Sequence, residues 1–135
     1  MSSAMSHSSS GVDRNVAAIE RNFAALSREA DVDRYLAGCA EGFVLEFPFG
    51  TATRLEGRDA VRTALLHAFR RVSLELTFCS VYHCQDPDRI IAEYQSAGPV
   101  LATGAPYANS YIGVFEFECS LLRFHREYAD PTRAV

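Results

Sequence analysis

The chain has 135 residues, of which 48% are hydrophobic and 22% are charged, as is typical of one globular domain with its own core. Its formal net charge is −4, and its arginines are scattered rather than gathered in a basic stripe, which argues against a nucleic-acid partner. No apolar run approaches the roughly 18 residues that a membrane span requires. We therefore expect a cytoplasmic protein with neither a nucleic-acid nor a membrane partner.

Motifs that hold metals or cofactors are missing from the sequence. The chain contains no lysine, which excludes a Schiff-base lysine and a phosphate-binding loop of the usual type. None of the four cysteines forms a CxxC pair, no histidine stands at metal-finger spacing, and no GxSxG nucleophile motif occurs. We therefore predict no metal and no cofactor, and we interpret the cysteines as reduced thiols.

The first predicted element is an amphipathic helix that begins near Asp13. Its apolar residues recur at spacings of three and four, which predicts one buried stripe: Val16, Ile19, Phe23 and Leu26. The serine-rich stretch 1–11 lacks the apolar core of a signal peptide and is predicted to be a disordered tail. The domain itself is expected over 12–131, followed by a short C-terminal tail over 132–135.

The next predicted elements are a helix, one or two short strands and another helix. Asp31 is a plausible N-cap for the second helix, and Gly42 is its expected end. Short strands are predicted over 43–47 and at 55–56. The third helix opens at Gly57 and has an apolar stripe: Val61, Ala64, Leu65, Ala68 and Phe69.

From Val72 onward the hydrophobic period changes to two, which predicts long strands. They are expected over 72–79, 89–101, 107–118 and 121–128, joined by short turns, as in an antiparallel meander. Helices grouped at the start of the chain must then cover one face of the sheet, giving an α+β domain. A curved sheet capped by helices encloses an apolar hollow, the usual place for a ligand.

Three stretches of this sequence resemble the SnoaL-like branch of the nuclear-transport-factor-2-like superfamily, which includes ketosteroid isomerases and polyketide cyclases. They are Glu-Gly-Arg-Asp-Ala-Val at 56–61, Pro-Tyr-Ala-Asn-Ser-Tyr-Ile-Gly-Val-Phe at 106–115 and Arg-Glu-Tyr-Ala-Asp-Pro at 126–131. The resemblance implies a cone-shaped α+β roll, with three N-terminal helices packed on a curved, mostly antiparallel sheet around a pocket.

Within that branch the chain is most similar to the phenazine-biosynthesis A/B proteins. The resemblance implies that Glu127 is the acid–base group and that the strand carrying Asn109 lines the pocket. Those proteins also have a ligand-contacting histidine on the third helix. Its position falls on Ala64 here, and the nearest histidine is His67. This departure argues against the phenazine reaction, but not against the pocket.

The residues themselves also single out the last predicted strand. Alternation places Arg123, His125 and Glu127 on one face. If Glu127 points into an apolar pocket, burial raises its pKa and suits it to proton transfer, with His125 as a possible partner. An equally open interpretation is a carboxylate paired with Arg123 or Arg126 near the end of the sheet.

Other polar residues could complete such a site. Glu46 lies among phenylalanines and could have a raised pKa, or it could point to solvent; Glu93 could be a cavity acid or the partner of an arginine. Tyr107, Asn109 and Tyr111 alternate on one face and could orient a ligand carbonyl or hydroxyl. Tyr82 and Tyr94 could contribute hydroxyls in the same way.

Two classes of function fit these features. The first is a cofactor-independent enzyme that moves protons on a small apolar cyclic or aromatic metabolite, by isomerisation, cyclisation, dehydration or condensation. The second is a non-catalytic module that binds a small molecule or assembles with a partner chain. In either case we expect a homodimer through an exposed apolar sheet face, bearing Phe115, Phe117 and Tyr94 or their alternates.

Overall fold

The computed structural model of the protein describes residues 6–28, 30–50 and 52–133. Its α-helices are α1 (Ser6–Leu26), α2 (Val32–Ala37) and α3 (Arg58–Phe69). Its strands are β1 (Cys39–Phe47), β2 (Thr53–Glu56), β3 (Glu75–His83), β4 (Arg89–Pro99), β5 (Pro106–Glu118) and β6 (Leu121–Ala129). A 3₁₀ turn over Pro131–Arg133 follows the last strand.

The six strands form one sheet in the order β2-β1-β6-β5-β4-β3. The pairs β3–β4, β4–β5 and β5–β6 are antiparallel, which confirms the predicted meander, whereas β1 runs parallel to β6. The helices pack on one face of this sheet, and the core lies between the two layers. The predicted α+β class is therefore confirmed, with three helices on a mostly antiparallel sheet.

Helix α1 places its apolar stripe in the core as its spacing predicts. Ile19 and Phe23 are buried, and the Phe23 ring stacks on Phe78 of β3 at a centroid distance of 5.1 Å. The helix begins at Ser6, inside the stretch predicted to be a tail and before the expected start at Asp13. Elongating an existing helix adds about one hydrogen bond per residue fixed, so weak helix formers can extend it. Residues 1–5 lie outside the described residues.

Helix α2 is capped as expected but ends earlier than expected. The Asp31 side chain accepts a hydrogen bond from the Arg34 amide at 3.0 Å. The helix ends at Ala37 with Gly38 as its C-cap, and not at Gly42, because β1 already begins at Cys39. A β-carbon at Gly38 would collide with the Asn22 side chain of α1, so a larger residue here would force that side chain to move.

A bulge in β6 changes which residues face the core. Between Glu116 and Phe117 of β5 the register shifts, and Arg123 of β6 has no opposite residue. Leu122 and His125 both point inward and are buried, whereas Arg123 contacts Glu116 with an N···O distance of 2.6 Å. The expectation that Arg123 shares a face with His125 and Glu127 is therefore wrong, because a bulge interrupts the alternation.

The apolar residues proposed for a dimer surface do not lie on the exposed face. Tyr94, Phe115 and Phe117 are buried in the core. Their alternates point outward, and among them Ile112 of β5 is 44% exposed. A homodimer through the outer face stays a prediction. None of the described helices is long and apolar enough to cross a membrane.

Candidate functional site

Two adjoining cavities open between the helices and the inner face of the sheet. The outer cavity has a volume of about 460 Å³. The inner cavity is smaller, about 100 Å³, and has a mainly apolar lining. The two spaces share part of their walls: Phe47, Leu74, Tyr111 and Glu127. Glu127 therefore lies where a wide outer space meets a narrow inner one.

Glu127 is a carboxyl group held in apolar surroundings. Its side chain is only 19% exposed, and burial raises its pKa from 4.5 to about 7. Both arginines considered as partners pair elsewhere, Arg123 with Glu116 and Arg126 with Glu46. Desolvation is the cause of this rise, and neither arginine offsets it.

The hydrogen-bond partner of this carboxyl is the hydroxyl of Tyr94 on β4. The hydroxyl donates to Oε1 of Glu127 at 2.5 Å and lies 2.8 Å from Nε2 of His125. Burial lowers the pKa of His125 to about 3, so the imidazole is neutral and its 3.9 Å approach to Glu127 is not an ion pair. Strand alternation predicts that Glu127 and His125 lie together but does not identify the phenol between them.

Gly113 of β5 makes room for this contact between two strands that are not neighbours. Gly113 pairs with Glu127 on one side and with Ala92 of β4 on the other. A β-carbon there would lie 2.9 Å from Cε1 of Tyr94 and 2.7 Å from Cε1 of Phe115. The Tyr94 ring therefore occupies space that any other residue at 113 would need.

The predicted polar row on β5 does face the cavities. The Tyr111 hydroxyl lies 2.6 Å from Oγ of Ser96, its ring stacks on Tyr94 at 5.1 Å, and burial raises its pKa. Tyr107 lines the outer cavity. Both phenols therefore lie beside the space that a ligand would fill, and each hydroxyl has one proton to donate.

Asn109 lines the outer cavity, yet its amide is already fully engaged. Its Nδ2 donates to the Tyr107 hydroxyl and to the carbonyl of Asp130, and its Oδ1 accepts from the amides of Ser110 and Asp130. These contacts use both donors and both acceptors of the side chain. Asn109 therefore ties the end of β6 to β5 and shapes the cavity wall, instead of presenting a free amide to a ligand.

Glu46 is not brought to this site. It lies on the outer side of the sheet, where its carboxylate accepts hydrogen bonds from Arg126, at 2.9 Å, and from Arg54. The Arg126 contact is the main cause of a lowered pKa. Of the two alternatives for Glu46, a raised pKa is therefore wrong, because strand alternation turns this side chain away from the hollow and towards two guanidinium groups.

Three further predicted ligand contacts lie away from the outer and the inner cavity. Glu93 lines a depression on the outer face of the sheet. His67 is exposed, and neither His67 nor Ala64 lines the outer or the inner cavity. Helix α3 instead presents Ala68 to the outer cavity. Ala64 and Ala68 are one turn apart, so the helical spacing could have identified Ala68.

The described residues contain no cluster of three or more histidine, cysteine, aspartate or glutamate side chains arranged to hold a metal ion. The buried thiol of Cys39 has a pKa raised to about 12, mainly by desolvation. Cys39 is therefore a protonated core residue and not a nucleophile.

The model of the SnoaL-like domain family matches residues 19–125 of this sequence. The chain belongs to this family. The uncharacterized protein YesE of Bacillus subtilis (strain 168) is 33% identical to it over 107 residues, which make up 76% of this chain and 73% of that protein. The resemblance seen in the sequence is therefore confirmed.

Solved structures share the fold of this SnoaL-like chain. A proposed isomerase from Bacillus subtilis is 28% identical and has a TM-score of 0.83, with 90% of each chain covered. A phenazine biosynthesis-related protein from Pseudomonas aeruginosa has a TM-score of 0.81 at 15% identity, covering 96% of this chain and 87% of that one. Other structures with this fold include an epoxide hydrolase and proposed polyketide cyclases, so the fold alone selects no reaction.

Proposed function

We propose that this chain is a cofactor-independent enzyme that moves a proton on a small apolar cyclic or aromatic metabolite. Glu127 is the acid–base group. One observation carries the proposal: a buried carboxyl, with no cationic partner among the residues that the structure describes, lines both cavities and has a pKa of about 7. At neutral pH such a group is present in both its acidic and its basic form, as general acid–base catalysis requires.

The surroundings of Glu127 determine which ligands suit the site. The inner cavity is walled largely by aliphatic and aromatic side chains, among them Leu45, Leu65 and Leu76. Such walls favour an apolar ring system and keep water away from the carboxyl. The Tyr107 and Tyr111 hydroxyls, at the edge of the outer cavity, would orient a carbonyl or hydroxyl of the ligand.

The chemistry then consists of one proton removed and one proton returned. Ionised Glu127 takes a proton from a carbon or hydroxyl of the ligand, and the resulting carboxylic acid returns it to another atom. Isomerisation, cyclisation, dehydration and condensation can all be assembled from these two steps. A positioned group of this kind typically accelerates a reaction by about 10²–10⁴-fold.

The first experiment measures proton exchange. Apolar cyclic ketones, such as 2-tetralone, are tested for binding by thermal shift and then incubated with the protein in D₂O. Proton NMR reports deuterium uptake at the carbon next to the carbonyl. We expect Glu127→Gln to retain binding and to slow exchange by about 10²–10⁴-fold.

The matched control is Glu116→Gln. Glu116 is as little exposed as Glu127, at 18%, but pairs with Arg89 and Arg123, so its removal is expected to leave exchange unchanged. Equal exchange by the wild type and Glu127→Gln would remove Glu127 from the mechanism. Tight binding of the ketones without any exchange would instead support the alternative, a non-catalytic small-molecule-binding module with the same fold.

A further inference from the structure

We propose that Tyr94 is the positioning residue of this site: its hydroxyl holds Oε1 of Glu127 and leaves Oε2 as the oxygen that exchanges the proton with the ligand, while His125 fixes the hydroxyl from its other side. This inference rests on the proposed role of Glu127. It assigns to Tyr94 and His125 a task that acts through the carboxyl.

The first support is the asymmetry of the contacts made by Glu127. Oε1 receives the Tyr94 hydroxyl at 2.5 Å and is the oxygen nearest to His125. Oε2 has no hydrogen-bond partner among the described residues. Tyr94 is 1% exposed and its ring is packed between Phe23 and Tyr111, so the donor cannot swing away to water. One oxygen is therefore fixed, and the other is left for chemistry.

The second support is the direction of the hydrogen bonds. A phenol has one proton to donate. When it is given to ionised Glu127, the phenol oxygen can accept a hydrogen bond from Nε2 of neutral His125. This assigns the proton of the imidazole to Nε2. His125 in turn stacks on Phe115 with a centroid distance of 4.1 Å, which fixes the plane of its ring.

The third support is the set of groups that face the carboxyl. Titratable neighbours are Tyr35 of α2, Tyr94 of β4, Tyr111 of β5 and His125 of β6, with Arg71, Tyr107 and Asp130 at the outer cavity. The walls contributed by α1, α3, β1 and β3 are apolar, for example Phe23, Leu65, Leu45 and Leu76. The Tyr94 hydrogen bond opposes the desolvation that raises the pKa of Glu127.

The fourth support is the open path across β5. Tyr94 and Glu127 are on strands separated by β5, and their contact passes over Gly113. A β-carbon at Gly113 would lie 2.9 Å from the Tyr94 ring, closer than real β-carbons approach other atoms. Because Gly113 has no side chain, the Tyr94 hydroxyl can reach the Glu127 carboxyl.

The test is the pKa of Glu127 in the protein without ligand, measured by NMR on protein labelled with ¹³C at glutamate carboxyl carbons. Glu127→Gln identifies the signal. We expect Tyr94→Phe, which retains the ring, to raise the pKa from about 7 to about 8, because the ionised form loses its donor. Tyr111→Phe is the control, because the Tyr111 hydroxyl bonds Ser96 and not Glu127.

A second pair of variants tests His125. His125→Gln retains an N–H group near the position of Nε2 and is expected to leave the pKa close to that of the wild type. His125→Phe retains the stacked ring without the donor, and is expected to give a value between those of the wild type and Tyr94→Phe. In the exchange assay, Tyr94→Phe should move the pH midpoint upward by the same amount as the pKa, with KM unchanged.

An unchanged pKa in Tyr94→Phe, or an equal rise in Tyr111→Phe, would overturn this inference. Because the titration needs neither ligand nor turnover, its outcome is independent of the proposed reaction. Loss of exchange in Glu127→Gln together with an unchanged titration in Tyr94→Phe would leave the enzyme proposal standing and reject the positioning role. If Tyr94→Phe does not fold, the two His125 variants provide the test. Equal pKa values of Glu127 in His125→Gln and His125→Phe would also reject the positioning role.

Discussion

Two glutamates on neighbouring strands show how differently one side chain behaves on the two faces of this sheet. Glu46 of β1 pairs in register with Arg126 of β6, and Glu127 is the next residue along β6. Glu46 faces outward to two arginines and has a lowered pKa. Glu127 faces inward to a phenol and has a pKa raised to about 7.

The difference shows that the face of the strand, more than the residue type, determines the chemistry of these carboxyls. On the outer face, guanidinium groups compensate for partial burial and hold the carboxylate ionised. On the inner face, burial is opposed by one neutral hydroxyl, and the charged form is disfavoured. Removing the charge of Glu127 should therefore increase the free energy of unfolding, whereas removing the charge of Glu46 should decrease it.

The largest expected effect on stability comes from Glu127→Gln. Because the folded-state pKa lies above the ordinary value of 4.5, Glu127 favours folding most below pH 4.5, and its ionisation costs stability as the pH rises to about 7. The variant should therefore be more stable than the wild type at pH 8, by at most about 3 kcal/mol. Contact of the 19% exposed side chain with water reduces this figure.

Urea denaturation at pH 4 and pH 8 measures this effect. The two proteins should have similar free energies of unfolding at pH 4 and should separate as the pH rises through the range from 4.5 to 7. A variant less stable than the wild type at pH 8 would mean that the carboxylate is compensated by contacts other than the Tyr94 hydroxyl.

A smaller effect, on the pKa of Glu127, is expected from Leu65→Asn in α3. Leu65 lines the inner cavity, so an amide there brings water and a hydrogen-bonding group close to Glu127. Since burial is the main cause of the raised pKa, we expect the value to fall from about 7 to about 6, as measured by carboxyl NMR. Leu66→Asn is the control, because Leu66 is half-buried on the same helix but does not line this cavity. Equal shifts in both variants would point to a general loosening of α3.

The smallest effect, on the free energy of unfolding, is expected from Glu46→Gln. Its lowered pKa means that Glu46 stabilises the fold above its ordinary pKa of 4.5 and that this contribution is lost as the pH falls. Its partners are 36% and 50% exposed, so the variant should lose less than about 1 kcal/mol at pH 7. Chemical denaturation should show that the difference in free energy of unfolding between wild type and variant decreases as the pH falls. A difference that increases in acid would contradict the lowered pKa of Glu46.

Hydrophobic periodicity was sufficient to predict most of the fold. The alternation from residue 72 onward predicts the strands of the meander, and the three-and-four spacing around Phe23 predicts the buried face of α1. Alternation in β6 also placed Glu127 on the same face as His125, and the structure has both beside the inner cavity. These features depend on near neighbours in sequence, which is why a single chain reveals them.

Contacts between distant strands could not be predicted in the same way. The bulge at Arg123 depends on how β6 pairs with β5, and the arginine partner of Glu46 depends on a parallel pairing that joins residues 80 positions apart. The Tyr94–Glu127 contact requires the register of three strands and the missing side chain of Gly113. Periodicity within one strand indicates a face but not the neighbour across it.

The two joined cavities have a consequence for where a bound molecule would react. Glu127 belongs to the walls of both, with about 100 Å³ on one side and about 460 Å³ on the other. For any molecule long enough to extend into both spaces, the atom nearest the carboxyl lies partway along its length and not at either tip. The inner cavity encloses the narrow end of such a molecule. Substituents in the outer cavity can therefore differ in size without affecting proton transfer at Glu127.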